Sequence, residues 1–405
     1  MLKRTLTPPI KRISRNFPAL LLTGMRQVGK STLLKMAQTA GRRYVSLDHL
    51  DNRDLAQNQP ALFVERYEPP VIIDEIQYAP QLFPYLKIYI DSHPEKNGLF
   101  WLTGSQKFSL MKGVQESLAG RVAILDLLGL SYREMTKKPY GGRPFLPAPA
   151  LIKHQTPPLK LAELYKIIWQ GSFPRLITHR GENWSTFYKS YWQTYIERDV
   201  RDALDLRGNE IKFHNFVRAV AARTGAMLNY AEIGRDAQID QRTARAWLSA
   251  LVRAGLVKII EPYYRNPTTR LLKTPRAYFL DTGLCAYLTG MNSPETLEAG
   301  YLTGAILETY ALGEILKSYW HHGEDPNLYF YRDADQREID FILETNNTLY
   351  PIEVKKTATP TPDDARHFGV LKNLPQPTGC GAVICLRPSP LPLTENAVAI
   401  PAWGI

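Results

Sequence analysis

The stretch "GMRQVGKST" places Gly24, Gly29, Lys30 and Ser31 in the spacing GxxxxGK[ST]. Those residue types suit a phosphate cradle. Backbone N–H groups of a glycine-rich loop can point inward at phosphate oxygens, and the first turn of the following helix adds partial positive charge. Lys30 would reach the β- and γ-phosphates, the Ser31 hydroxyl would ligate Mg²⁺, and Thr32 completes the nucleotide-binding set. Downstream, "VIIDE" buries three apolar residues and presents Asp74 and Glu75 where a strand ends, the place at which open α/β sheets bind ligands. Asp74 would hold Mg²⁺ through water, and Glu75 would polarise an attacking water. ATP and Mg²⁺ are the expected cofactors.

Two further residues extend this set. "LFWLTGS" ends a strand in small polar residues, and Ser105 there could sense the γ-phosphate. "SLAGRVAILDL" puts Arg121 just ahead of another strand, at an expected surface. An arginine in that place suits a finger that completes a neighbouring subunit's site, a contribution of roughly 10³–10⁵ in rate. The alternative is an arginine at a helix C-terminus that complements the helix dipole.

A second group lies near the C-terminus. "GAILETYALGEILKSYW" reads as an amphipathic helix with Ile306, Tyr310 and Ile315 inward, and it carries Glu308. "REIDFILETNNTLYPIEVKK" then delivers Asp340, Glu353 and Lys355 on two strands joined by a hairpin turn at "TNNT". A helix Glu, then Asp, then Glu-x-Lys on sequential strands resembles the PD-(D/E)xK nuclease fold of restriction endonucleases. The resemblance implies that Glu308, Asp340 and Glu353 surround Mg²⁺ or Mn²⁺, with Lys355 beside a scissile phosphate. Asp340 and Glu353 can meet only if the hairpin pairs in the right register.

Between these groups, "LNYAEIGRDAQIDQRTARAWLSALVRAGLVKII" reads as helix, turn, helix, strand, with Ala244, Trp247, Leu248, Leu251 and Val252 on one face and Gly255 as the stop. The spacing suits a winged helix-turn-helix. Its second helix carries Arg242, Arg245 and Arg253. The following "YYRNPTTRLLK" would be a wing with Arg265, Arg270 and Lys273. A recognition helix in a DNA groove with a basic wing on phosphate is one reading. A packing or oligomerisation module is the other.

The elements that must position these groups follow from pattern. "ALLLTG", "RYVSLD", "PVIIDE", "LFWLTGS" and "VAILDL" read as five strands alternating with helices, an α/β domain with a parallel sheet. A Pro/Gly-rich stretch from Lys137 follows, then mostly helix from Leu159 to about Gly255. "LVKIIEPY" and "RAYFLD" read as strands. From about Gly300 the order is helix, three strands, helix, then strands "GAVICL" and "AVAIPAW". The chain has 405 residues, enough for several cores. Its net charge of +11 favours a polyanionic partner. Residues 1–35 hold eight Lys/Arg and no acid, and residues 201–275 carry thirteen Lys/Arg against seven Asp/Glu. Three cysteines without a CxxC pair argue against a zinc site and for a reducing compartment. No run approaches membrane-spanning length. The expectation is a cytoplasmic protein.

"GMRQVGKSTLL", "VIIDEIQ", "WLTGSQ" and "SLAGRV" together resemble a large prokaryotic family of AAA+ type ATPases whose C-terminal region is a domain of unknown function. "GSFPR", "YIERDV" and "YFLDTGLCAYL" extend the resemblance over nearly the whole chain. Relatives often carry a Gly-Gly pair and an acid around Pro174, where this chain has Ser172 and Arg175, so the lid arginine that many AAA+ ATPases use to sense nucleotide stays unassigned. The resemblance implies an ATPase core over 1–135, a linker and helical lid over 136–210, a winged-helix domain over 211–295 and a nuclease-like domain over 296–405. It also implies a hexameric ring or spiral. Three functions fit: an ATP-driven enzyme that binds or remodels DNA and cuts it, a nucleotide-gated switch for protein partners with an inert nuclease fold, and a branched-DNA motor that only grips DNA.

Overall fold

The computed structural model describes residues 2–38, 40–104, 113–114, 116–138, 142–153, 157–179, 181–195, 209–264 and 274–405. Ser105, Arg265, Arg270 and Lys273 lie outside these residues. Among the described residues no helix is long and apolar enough to cross a membrane.

The N-terminal sheet is parallel, in the order β2-β3-β4-β1-β5. Its strands are β1 (Ala19–Thr23), β2 (Arg43–Ser46), β3 (Val71–Asp74), β4 (Phe100–Thr103) and β5 (Val122–Asp126). These are the five runs expected from the sequence. β1, β3 and β4 are buried along their whole length because both faces are covered. Leu20 and Leu22 point into one hydrophobic cluster, and Leu21 into another with Ile73, Leu102 and Phe83. Helices α1 (Thr7–Ile13) and α2 (Lys30–Ala37) lie on the first of these faces.

The first cluster does not stop at the sheet. It continues through Tyr188, Phe216 and Trp247 to Ile315, Phe341 and Trp403, so all regions of the chain share one core. The middle region contributes α3 (Leu161–Gln170), α4 (Pro174–Thr178), α5 (Trp184–Tyr191), α6 (Glu210–Ala221), α7 (Tyr230–Ala237) and α8 (Gln241–Arg253). The motifs "GSFPR" and "YFLDTGL" meet here at the buried carboxylate of Asp281. It accepts from the Ser172 amide and hydroxyl at 2.8 Å each, from Tyr188 Oη at 2.7 Å and from the Leu284 amide at 2.8 Å. Gly171 has φ 78°, and a Cβ there would stand 2.3 Å from Tyr188 Oη. These motifs are therefore packing joints between α3, α5 and the segment that starts at Asp281.

Helices α7 and α8 meet at a tight turn. Gln238 is left-handed (φ 56°), and a side chain on Gly234 would come 2.7 Å from the Ile239 carbonyl. Asp240 caps α8 through the Thr243 amide, and Ala244, Trp247, Leu248 and Leu251 face the core as expected. Gly255 (φ 72°) ends the helix, with the Leu256 amide returning to Leu251 O. The hairpin β6 (Val257–Pro262) and β7 (Arg276–Phe279) follows.

That hairpin is also the edge of the C-terminal sheet. β6 pairs in parallel with β8 (Asn327–Arg332) through Glu261 and Tyr329, giving eight strands in the order β12-β13-β11-β10-β9-β8-β6-β7. The others are β9 (Glu338–Thr345), β10 (Thr348–Val354), β11 (Gly381–Cys385), β12 (Leu391–Thr394) and β13 (Ala397–Pro401). The sheet thus runs across the boundary expected at 295/296. Sequence pattern had not marked β12, a short edge strand with alternating exposure. The helix expected after β10 is a 3₁₀ helix over Pro362–Asn373. At the β9–β10 turn, Asn346 and Asn347 both have positive φ (50° and 58°), as a two-residue hairpin requires.

One expectation needs correction. The helix over Thr303–Trp320, here α9, has Ile306, Tyr310 and Ile315 inward, but it is not amphipathic: Thr309, Glu314, Lys317 and Ser318 are buried too. It lies within the core that joins the N-terminal sheet to the C-terminal one, and its polar residues find buried partners there.

Candidate functional site

The phosphate loop leaves β1 at Thr23 and enters α2 at Lys30. Gly24 has φ 142°, and a Cβ there would lie 2.1 Å from Leu127 O; Gly29, the N-cap of α2, has φ 93°. Both positions require glycine. Lys30 is buried, and its ammonium donates to Gly24 O (2.8 Å) and Met25 O (2.9 Å). Burial lowers its pKa to about 8, partly offset by Glu75 and Asp74.

Asp74 ends β3 beside the loop. Oδ1 accepts from Ser31 Oγ at 2.7 Å and from Thr103 Oγ1, and Oδ2 accepts from Tyr44 Oη at 2.7 Å. Ser31 and Asp74 are hard oxygen donors side by side, the set that suits Mg²⁺. Tyr44 on β2 and Thr103 on β4 were not singled out in the sequence. A hydroxyl ending the strand in "WLTGS" was the available signal, and Ser105 had drawn the attention. Glu75 follows in a left-handed conformation (φ 57°), its amide donating to Thr103 Oγ1 at 3.3 Å. A non-glycine residue held at positive φ beside a ligand cleft is a mark of a positioned functional group. Glu75 lines a cleft of about 1270 Å³ together with Gly29, Lys30, Ser31 and Thr32.

The far wall of the cleft comes from α4 and its surroundings: Pro174, Arg175, His179 and Tyr195. Arg175 is half-exposed and pairs with Glu182 at 3.0 Å. Arg175 lines the cleft, and the lid arginine stays unassigned. Arg121 sits at the opposite edge of the sheet, at the N-terminal end of β5, where its guanidinium pairs with Asp91 at 2.6 Å. It does not line its own chain's cleft.

The C-terminal group also converges. β9 and β10 pair with Phe341 opposite Ile352, which sets Asp340 opposite Glu353 on the same face. The Asp340 amide donates to Glu353 Oε2 at 3.4 Å, the Val354 amide donates to Asp340 Oδ2 at 2.8 Å, and Lys355 Nζ lies 2.7 Å from Glu353 Oε1. These three residues line a cavity of about 270 Å³ with Glu338, Asp364 and His367. Burial, then mutual repulsion, raises the pKa of Glu308 and Glu353, and burial raises that of Asp340.

A residue that sequence reading passed over changes this group. Arg276, at the start of β7 and 5% exposed, pairs with Glu338, and its Nη1 lies 3.4 Å from Glu308 Oε1 and 4.0 Å from Asp340 Oδ1. Tyr278 Oη also donates to Glu308 at 2.6 Å. Glu308, expected as a metal ligand with Asp340 and Glu353, is turned toward an arginine and a tyrosine. Among the described residues no three His, Cys, Asp or Glu side chains are placed to hold a metal ion together. Glu308 therefore does not join Asp340 and Glu353 as a third ligand in this arrangement, and those two line the cavity with Glu338 and Asp364.

In the middle region, Arg242, Arg245 and Arg253 are exposed on α8. The Arg245 guanidinium lies 4.6 Å from the centre of the Tyr230 ring.

Comparison with known proteins matches three parts of the chain. Residues 16–136 match the family model of an AAA domain. Residues 161–295 and 303–405 match two domains of unknown function, DUF8612 and DUF4143. The uncharacterized proteins Rv2008c of Mycobacterium tuberculosis and Mb2031c of Mycobacterium bovis are each 27% identical over 99% of this chain and 83% of their own length. Among solved structures, the Walker-type ATPase PABY2304 of Pyrococcus abyssi superposes with a TM-score of 0.42 and 15% identity, covering 70% of this chain and 94% of that one. The RuvB Holliday junction branch migration motor of Thermotoga maritima gives 0.30 and 16%, over 66% and 90%. Neither fit is close enough to carry its partner's activity across. The part of the chain that is similar to an AAA domain is thus the one that carries the parallel sheet and the phosphate loop.

Proposed function

We propose that this chain hydrolyses ATP with Mg²⁺ at the cleft beneath the phosphate loop and uses the cycle to act on DNA. The observation that carries the first half is Asp74. Three hydroxyls, from Ser31, Thr103 and Tyr44, fix its carboxylate beside the loop, next to a Glu75 held in a strained conformation. Loop amides and the α2 N-terminus receive the phosphates. Lys30 exchanges its two carbonyl partners for phosphate oxygens. Ser31 and Asp74 would hold Mg²⁺, which neutralises charge on the β- and γ-oxygens. Glu75 orients and polarises the water. Arg175 contacts the nucleotide from the lid side, and Arg121 leaves Asp91 to complete a neighbour's site in a ring or spiral, a hexamer in this proposal.

DNA is the proposed substrate because the middle region joins a tight helix–turn–helix to exposed arginines. The fold of α6, α7, α8 and the β6–β7 hairpin supports a winged helix. Arg242, Arg245 and Arg253 would meet DNA from α8, and Arg265, Arg270 and Lys273 from the β6–β7 loop. Neutralising roughly six to ten phosphates would lower affinity about 10³–10⁵-fold between 50 and 200 mM salt. A filter-binding titration over that salt range tests this. Salt-independent binding, or none to duplex, single-stranded or four-way DNA, would favour the switch for protein partners.

The convergence of Asp340, Glu353 and Lys355 on one cavity favours a second reading, metal-dependent cleavage of DNA at a nuclease-like C-terminal site. Incubation of the same DNAs with Mg²⁺, Mn²⁺ or EDTA decides it, since only a metal-dependent product lost in Asp340→Asn supports cutting. Intact DNA under every metal leaves the C-terminal region as a grip.

A further inference from the structure

The phosphate loop rests on a residue outside its own motif. Arg4, in the arm before α1, is 7% exposed and lines the nucleotide cleft. Its Nη1 donates to Val28 O, inside the loop, at 3.0 Å. Its Nη2 donates to Leu128 O at 2.8 Å and Gly129 O at 3.1 Å, on the segment that leaves β5. Its Nε lies 3.1 Å from Glu134 Oε2. Glu134 is fully buried and accepts as well from the Thr5 amide (2.7 Å) and the Ser131 amide (3.0 Å).

The same segment is gripped from the other side by α9. The Leu128 amide donates to His321 Nε2 at 3.3 Å, so Nδ1 carries the ring proton, 3.5 Å from Glu134 Oε1. The Tyr132 amide donates to Glu314 Oε2 at 3.0 Å. Lys317 Nζ donates to Leu130 O at 3.1 Å and to Glu314 Oε1 at 2.5 Å. Residues 128–132 are thus held between an arm that touches the phosphate loop and a helix that belongs to the C-terminal sheet.

Stability alone is a weak reason for such an arrangement. Burying Arg4, Glu134, Glu314 and Lys317 costs several kcal/mol of desolvation per ion, and apolar residues of similar volume would serve the core as well. What a buried network of opposite charges does provide is a discrete geometry. Its members shift together, because moving one alone leaves a charge unpaired in a low dielectric. A loop carbonyl sits at one end of this network, and α9 at the other. That helix also carries Glu308, six residues before Glu314.

We propose that Arg4 is a positioning residue of the phosphate loop, and that the buried chain Arg4–Glu134–His321, with Lys317 and Glu314, makes nucleotide occupancy set the local stability of α9. The proposal rests on the nucleotide reading of the cleft. When phosphates fill the cradle, the loop tightens and Val28 O holds Arg4 in one place. Arg4 then fixes the 128–132 segment against Glu134, and α9 docks on a rigid partner. In the empty cleft that partner is looser, and α9 opens more often. Coupling is reciprocal, so docking of α9 also tightens nucleotide, by the about 5–150-fold usual for coupled sites.

Hydrogen–deuterium exchange on the full chain tests this, with ADP or a non-hydrolysable ATP analogue and with calorimetric nucleotide affinity on each sample. In the wild type, nucleotide should slow exchange over 303–320 by at least about fivefold. Arg4→Lys keeps the charge but loses the forked donation to three carbonyls. It should bind nucleotide more weakly and, at saturation, show no nucleotide-dependent change over 303–320. Glu314→Gln keeps an acceptor for the Tyr132 amide and loses only the ion pair. It should reduce the change at unaltered fold, so the proposal stays testable if Arg4→Lys does not fold. A wild type that binds nucleotide with no change over 303–320 overturns the coupling. So does either folded variant that keeps the full change. A wild type that binds no nucleotide at all fails the nucleotide reading first, and the coupling with it.

Discussion

The phosphate loop and the C-terminal carboxylate group are both pockets of concentrated charge, and they differ in what neutralises them. In the loop, Lys30 donates to two backbone carbonyls at the wall of the cleft, where the proposed nucleotide would bring the negative charge. In the C-terminal group, Arg276 already lies among Glu308, Glu338 and Asp340. That site brings its own counter-ion and holds its shape without a ligand. The difference explains why one motif can be read as chemistry from residue types alone and the other cannot. A cation held by backbone carbonyls beside a cleft can exchange them for an anion, whereas a cation among carboxylates is first of all structure.

The largest effect that would break this comparison lies at the loop's proposed neighbour contact. Arg121→Ala should cut ATP turnover by about 10³–10⁵ with ATP binding kept. Equal steady-state rates with and without Arg121 would show that the cleft is complete within one chain. The next effect concerns the built-in counter-ion. Arg276→Met should destabilise the fold by about 3–5 kcal/mol at neutral pH, since Glu308, Glu338 and Asp340 then lose the buried cation they share. Denaturant melts at pH 5 and pH 8 check the sign. The raised carboxyl pKa values mean that stability is greatest below the unfolded carboxylate range and falls as pH rises through the folded values, most steeply in the variant. An arginine variant as stable as wild type at pH 8 would remove Arg276 from its structural role.

A smaller effect sharpens the contrast. Asp340→Asn removes one of the repelling charges, so it should leave the unfolding free energy at pH 8 unchanged or raise it by about 1 kcal/mol, while ending any metal-dependent cleavage. A large loss of stability would mean that the carboxylate holds the hairpin together. The smallest effect is at Lys30. Burial lowers its pKa to about 8, so ATP affinity should be flat below pH 7 and weaken above pH 8 by up to about tenfold per unit. Fluorescent-nucleotide titrations from pH 6.5 to 9.5 measure it, and Arg175→Lys supplies a control that should not move the midpoint.

How much of this the sequence discloses follows the same division. The loop and the acid pair are contiguous motifs, and the five N-terminal strands are short apolar runs, so local pattern sufficed. The turn at Asn346 and Asn347 was equally local. Tyr44, Thr103, Arg4 and Arg276 act on groups from about thirty to more than one hundred residues away. Only the tertiary fold brings them there. Helix α9 misled for a related reason. Its polar residues read as a solvated face, but Glu314, Lys317 and Ser318 each find a buried partner, so the period says nothing about solvent. The one legible hint for Arg276 was a basic residue opening the apolar strand "RAYF".

The central claim is that the cleft beneath the phosphate loop hydrolyses ATP through a water positioned by Glu75. The direct measurement pairs single-turnover ATP hydrolysis with equilibrium ATP binding in the wild type and in Glu75→Gln. Unchanged binding with turnover reduced about 10²–10⁴-fold is the predicted result. Full turnover in Glu75→Gln, or no turnover in the wild type with ATP bound and Mg²⁺ present, would contradict it.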